Sequence, residues 1–173
     1  MDTATNVVSP SGIPVGSLPQ QAVAKPDGTS VYVTNAGLGT VSVIATATNT
    51  VLASISVGSA PSGLAVTPDG SRVYVANSGS NTVSVIATAT NTVLGSPIQV
   101  GAAPAGVAVT PDSSRVYVAL SNLNAVSVIA TATNTVLGSP IPVGSAPSGL
   151  AVTPDGSRVY VSKSGSNTVS VIA

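Results

Sequence analysis

The chain contains no Cys, His, Trp, Phe or Glu, and these absences narrow its chemistry before any motif is read. Without Cys and His, neither a disulfide framework nor a zinc site of the usual kind can be assembled. The many Ser and Thr side chains have no imidazole to activate them, so a nucleophile with an adjacent base is not expected. Charged residues make up 6% of the 173 residues, against roughly a quarter in an ordinary soluble domain. Five basic side chains balanced by five acidic ones give no net charge, and so few cations cannot form a phosphate-binding surface. No nucleic-acid partner is expected. Apolar runs are also short. None approaches the ~20 residues of a membrane-crossing helix, and the alternating segments fall well below the ~10-residue, aromatic-girdled strands of a membrane barrel. Membrane insertion is therefore not expected. The opening residues Met1-Asp2-Thr3-Ala4-Thr5-Asn6 lack the basic and apolar regions of a secretory signal.

What the chain does have is one phrase, repeated. Its fullest form is Ala65-Val66-Thr67-Pro68-Asp69-Gly70-Ser71-Arg72-Val73-Tyr74-Val75, and it returns at 22–33, 108–118 and 151–161. Aligning on the tyrosines Tyr32, Tyr74, Tyr117 and Tyr160 gives a period of 42 and then 43 residues. A hydrophobic content of 43% argues that this Ser/Thr/Gly/Asn-rich chain folds rather than staying disordered. Pro-Asp-Gly is a tight turn: Pro presets φ, Asp bonds nearby backbone and Gly closes the turn without steric cost. It lies between short β-branched runs, so each unit begins with a hairpin. In the third unit Ser113 stands where the others have Gly28, Gly70 and Gly156; a positive φ there would cost roughly 1 kcal/mol.

Four strands can be drawn in the second unit, at about 63–67, 72–77, 82–86 and 92–100. Val73-Tyr74-Val75 and Val83-Ser84-Val85-Ile86 are apolar on both faces or nearly so, as in a sheet covered on both sides. Periods of ~40–45 residues with several short strands are the signature of propeller blades, stacked so that each buries its neighbour. The wording of the repeat, including Tyr32-Val33-Thr34-Asn35, resembles the YVTN-type β-propeller repeat over essentially the whole chain. The resemblance implies an all-β propeller of four-stranded antiparallel blades, with the strand before Pro-Asp-Gly nearest the axis. It also implies a cell-surface or secreted setting. One departure is the Ala45, Ala87 and Ala130 that follow the third strand, where the family often has Asp; Asn49, Asn91 and Asn134 are expected to hold that turn.

Residues 1–173 are read as one domain, with blades at about 17–58, 59–101, 102–144 and 145–173. The last unit stops after its third strand. Residues 3–16 match 131–144 without a gap, so residues 1–16 are expected to supply the outer strand that completes the last blade. Unpaired edges are adhesive, which makes a homo-oligomer the expected partner. The preferred form is two chains exchanging first strands into an eight-bladed ring. Closure on four blades and open-ended strand donation into a filament are the alternatives.

No catalytic, cofactor or metal residue is named. Four of the five carboxylates, Asp27, Asp69, Asp112 and Asp155, occupy the same turn in successive units, and Asp2 lies at the start. Turn-building explains them better than a cation, which needs ~6–8 oxygens converging on one point. Arg72, Arg115 and Arg158 follow the turns, with Ser30 in the first unit, and are expected at most to make weak ion pairs. The tyrosines are assigned to packing between blades, each hydroxyl reaching a polar edge. The function expected is a non-enzymatic scaffold presenting Ser/Thr/Asn loops at 78–81 and 121–124. The alternative is a ligand- or glycan-binding module with Gln20, Gln21 and Lys25 as contacts. Lys163 also breaks the repeat.

Overall fold

A computed structural model describes residues 12–173. These form seventeen strands without a helix, arranged as four antiparallel sheets in chain order. Sheet one is β1 (Pro19–Ala24), β2 (Ser30–Asn35), β3 (Thr40–Ala45) and β4 (Thr50–Ser56). Sheet two runs β5 (Pro61–Val66), β6 (Arg72–Asn77), β7 (Thr82–Ala87), then β8 (Thr92–Val93) and β9 (Ile98–Gln99), which both pair with β7. Sheet three repeats this with β10 (Pro104–Val109), β11 (Arg115–Leu120), β12 (Ala125–Ala130), β13 (Thr135–Val136) and β14 (Ile141–Pro142). Sheet four has β15 (Pro147–Val152), β16 (Val159–Lys163) and β17 (Thr168–Ile172).

The fourth strand of sheets two and three corrects the single strand expected at 92–100. It is broken into two short pieces at Gly95-Ser96-Pro97 and again at Gly138-Ser139-Pro140. The 43-residue units carry one residue more than the first between the Asn-Thr-Val turn and the Val-Gly pair. That residue is accommodated by left-handed Gly95 and Gly138, both at φ 62°, and the proline has no N–H to give the ladder. Sheet one lacks the insertion and keeps β4 whole, with only a bulge opposite Val43 and Ile44.

Inner strands β1, β5, β10 and β15 pack against one another in that order, and the core lies between sheets rather than within any one. Tyr32, Val41 and Val43 of sheet one meet Leu64, Val73, Val75 and Ile86 of sheet two. Tyr74, Val83 and Val85 meet Val116, Val118 and Ile129 of sheet three. Tyr117, Val126 and Val128 meet Val159 and Val161 of sheet four. Each joint is thus one design: a Tyr and two Val from the leading sheet seated on the β-branched face of the next. Both faces of the middle strands are consumed this way, which is why those strands do not alternate polar and apolar residues.

Most of the proposed outer strand, residues 1–11, lies outside the described residues. Residues 12–18 carry no strand, and among the described residues β17 pairs with β16 alone.

Candidate functional site

The Pro-Asp-Gly turns of neighbouring sheets lie side by side, Gly70 near Lys25 and Pro26 and Gly156 near Pro111, and there the carboxylates serve their own loops. Asp69 Oδ1 accepts from the Thr67 hydroxyl, from Ser71 N at 3.0 Å and from Ser71 Oγ at 2.9 Å. Asp112 and Asp155 repeat this with Thr110 and Ser114, and with Thr153 and Ser157. These donors favour the ionised form. The Thr110 hydroxyl holds the Asp112 carboxyl down to about 2, and Thr153 does the same for Asp155. Asp69 is lowered too, Thr67 being the main cause. Asp27 has Lys25 at 2.8 Å instead, and that hydrogen bond is the largest reason its pKa falls to about 2. Among the described residues no three carboxylates come close enough to share a cation.

The arginines make no ion pair among the described residues. Arg72 reaches across the joint to donate from its guanidinium to the Thr131 carbonyl of sheet three. Lys25 is occupied by Asp27. Lys163 lies against Gly144, its Nζ 3.2 Å from where a Cβ would sit.

At the same end two of the tyrosines close their joints. Tyr32 Oη donates to Asn91 Oδ1 at 2.9 Å, and Tyr74 Oη to Asn134 Oδ1 at 2.8 Å. Both phenols are pushed above their usual pKa of 10, chiefly by burial. The same asparagines carry the left-handed turns, at φ 53° and 54°. The sequence pointed to both properties separately, a hydroxyl at a polar edge and an Asn in a turn. It did not show that they are two ends of one bond, because 59 and 60 residues separate the partners.

At the opposite end a second asparagine ties the loops together. Asn77 donates from Nδ2 to Thr82 Oγ1 at 3.1 Å and to Ser84 Oγ at 3.0 Å, and accepts from Gly58 N. Asn35 makes the equivalent donations to Thr40 and Ser42. The fourth residue of the Tyr-Val-Thr-Asn phrase therefore staples strands two and three, and in sheet two also the incoming loop. Sheet three has Leu120 and sheet four Lys163 at this position.

This combination, repeated antiparallel sheets joined by one interlocking packing scheme, agrees with the sequence comparison: the YNCE-like β-propeller family matches residues 5–169. The chain belongs to that family. Among solved structures, a Kuenenia stuttgartiensis hydrazine synthase chain is similar at 28% identity and TM-score 0.84, over 95% of this chain and 49% of its own. A 6-phosphogluconolactonase-like protein from Bacteroides uniformis superposes with TM-score 0.78 at 17% identity, over 93% of this chain and 54% of its own. At that identity the second likeness is one of fold. This YNCE-like chain spans about half the length of both. No curated protein sequence matches it significantly.

Along the propeller axis the first sheet differs from the rest. Gly63, Gly106 and Gly149 stand at one repeat position, where sheet one has Gln21. A Cβ on Gly63 would lie 2.1 Å from the Ala105 carbonyl oxygen, and one on Gly106 2.2 Å from that of Ser148. Glycine there lets successive inner strands approach backbone to backbone. Gln21 replaces that approach with side-chain bonds: its Oε1 accepts from Leu64 N at 3.1 Å, while Thr34 Oγ1 donates to the Ser62 carbonyl at 2.8 Å. Gln21, singled out as a ligand contact, thus holds the first joint. Gln20 is exposed beside it, on an open cleft shared with Ser62, Ala105 and Ser148.

Proposed function

We propose that this YNCE-like β-propeller chain is a non-enzymatic interaction scaffold, four blades long, whose product is its surface. One observation supports this reading above others. The side chains with chemical potential are spent on architecture: the aspartates on their turns, Lys25 on Asp27, Gln21 on Leu64 N, Arg72 on a carbonyl of the next sheet. The exposed surface around them is rich in Ser, Thr and Asn turns, with Arg115 and Arg158 among them. Lactone hydrolysis or hydrazine synthesis, the activities the similar structures are named for, would need acid–base or metal-binding groups. This chain has no His, Cys or Glu, and Asp69, Asp112 and Asp155 are bonded into their own turns.

The test is turnover. The purified chain, incubated with 6-phosphogluconolactone at neutral pH, should hydrolyse it no faster than buffer does. A rate above buffer that disappears on Asp112→Asn would replace the scaffold with an enzyme. A second reading, a small polar ligand or glycan held at the axis, is favoured by the exposed Gln20 at the open axial cleft. Glycan-array binding lost on Gln20→Ala would establish it, and a blank array would dispose of it.

A further inference from the structure

Among the described residues, sheet four leaves uncovered the face that each earlier sheet buries. Its tyrosine, Tyr160, is 39% exposed, whereas Tyr32, Tyr74 and Tyr117 are at 1%, 0% and 9%. Val169 and Val171 lie at 59% and 51%, whereas their repeat equivalents Val83 and Val85 are at 0% and 2%. These are the residues that seat each earlier sheet on its successor. The axial glycine tells the same story independently. Gly63 and Gly106 are glycine because the next inner strand leaves no room for a Cβ, yet a Cβ on Gly149 would meet only Ser162 Oγ, in its own sheet. Ser162 itself takes the Gly149 N–H just as Thr34 takes that of Gln21. Thr34 then passes its hydroxyl on to the next sheet, whereas among the described residues the bonds of the Ser162 hydroxyl stay within sheet four.

The complementary half of such a joint is present in this same sequence, at the first sheet. Asn49 is the repeat equivalent of Asn91 and Asn134 and has the same left-handed backbone, at φ 56°. It is exposed, whereas both of its equivalents are half-buried under a tyrosine. Val51, equivalent to Val93 of the first joint, is 38% exposed beside it, and Val33 and Ile44 lie deeper, at 8% each. We propose that the Tyr160 face of sheet four is a docking surface for sheet one of a second copy of this chain, with Tyr160 Oη donating to the partner's Asn49. This rests on the interaction-scaffold reading and names that scaffold's first partner. A heterologous contact of this kind closes into a ring when the rotation permits and otherwise runs on as a filament. The contact would set the face bearing Tyr160, Val169 and Val171 on a β-branched face, the arrangement already used three times within the chain.

The experiment uses the full chain, with native mass measured by light scattering. Two chains, or a longer series, are expected. Tyr160→Phe should keep the packing and lose the hydroxyl bond, weakening association about five-fold per joint. Gly149→Ala should leave the single chain folded and abolish association, because the added methyl meets the approaching strand. To locate the contact, one tagged copy carries Tyr160→Cys and another Asn49→Cys, joined by a short bis-maleimide; the chain has no other cysteine. Cross-linking between the two tags supports the proposal. A one-chain mass overturns it, whether a chain carrying both substitutions links to itself, as in a ring closed on four blades, or fails to link at all. An assembly indifferent to Gly149→Ala and unlinked at these positions overturns it too. Mass and cross-linking are blind to turnover and ligand binding, so this proposal and the scaffold reading can fail separately.

Discussion

Replacing Ser113 by Gly should stabilise the protein. The four Pro-Asp-Gly-type turns provide an internal control, since Gly28, Gly70 and Gly156 hold φ of 72°, 71° and 71°, and Ser113 holds 60°. All four fold into one conformation, and only the third bears a Cβ there. A left-handed backbone costs a non-glycine residue about 1 kcal/mol or somewhat more. Glycine gives back part of that gain through the greater freedom of its unfolded chain, about 0.4–1 kcal/mol. The turn's own bonds are backbone groups and survive: Ser113 N to the Thr110 carbonyl at 2.9 Å, and Thr131 Oγ1 to the Ser113 carbonyl at 2.6 Å. The net expectation for Ser113→Gly is about 0.5 kcal/mol of stabilisation, a rise of roughly 1–2 °C in Tm for a chain of this length. Gly28→Ser is the reciprocal. A Cβ there meets nothing within 4 Å, so only backbone strain is added, and Tm should fall by a similar amount. Paired urea and thermal unfolding of the two variants would measure both. A Ser113→Gly protein that is less stable than its parent would refute the assignment of cost to φ, and would mean that the serine side chain contributes something its hydrogen bonding does not show.

The Tyr74–Asn134 bond should register in a double-mutant cycle: Tyr74→Phe and Asn134→Gly, the latter preserving the left-handed turn, should couple by about 0.5–1.5 kcal/mol in chemical unfolding. No coupling would mean that water replaces the phenol at no cost. Gly63→Ala should destabilise by about 2 kcal/mol or more, because the Ala105 carbonyl must retreat from 2.1 Å and backbone cannot yield as a side chain does. Stability should be nearly flat from about pH 5 to 9, since the chain has no His or Cys to titrate there. Asp27, Asp112 and Asp155 have folded pKa values of about 2 against 3.8. Their contribution is therefore complete above pH 4–5 and is lost as pH falls toward 2. Tyr32 and Tyr74 are raised, so theirs is complete below pH 10 and disappears above it. A Tm profile with a step near pH 6–7 would contradict this.

Repetition made much of the fold legible. Four copies of one phrase located the hairpins, the left-handed asparagines at 49, 91 and 134, and the anomalous Ser113, because each is a local consequence of turn chemistry. The broken fourth strand was missed although its cause, one extra residue with a Gly and a Pro, is written at 95–97 and 138–140. A β-branched run on either side masked it. Left-handed Leu18, Ala60, Ala103 and Ala146, each just before a proline, were also unreadable. Alanine announces no turn, and the conformation is imposed by the close return from outer to inner strand. The axial pattern lay in plain view as Gln21 against Gly63, Gly106 and Gly149. It became meaningful only when the distances showed which backbone each glycine admits. Local signals fix turns, whereas joints between sheets depend on partners about one period away.

That dependence shapes how stability is distributed. Every described joint links consecutive sheets, so the chain behaves as a short linear array whose stability is a sum of unit and nearest-neighbour contributions. Sheets two and three have a neighbour on each face. Sheet four has one, and among the described residues it also lacks an outer strand. In an isolated chain its opening free energy should be the lowest of the four, since it forfeits only the Tyr117 joint on leaving. Amide exchange should therefore be fastest in β16 and β17 and slowest in β6, β7 and β11, which lie inside the array. The gradient also reports on assembly. Exchange measured at high and at low protein concentration should differ at β16 and β17 if a second copy seats on the Tyr160 face, and should leave β6 and β7 unchanged. Uniform protection across all four sheets at every concentration would show that the joints are not independent, and the linear-array description would have to give way to a single cooperative unit.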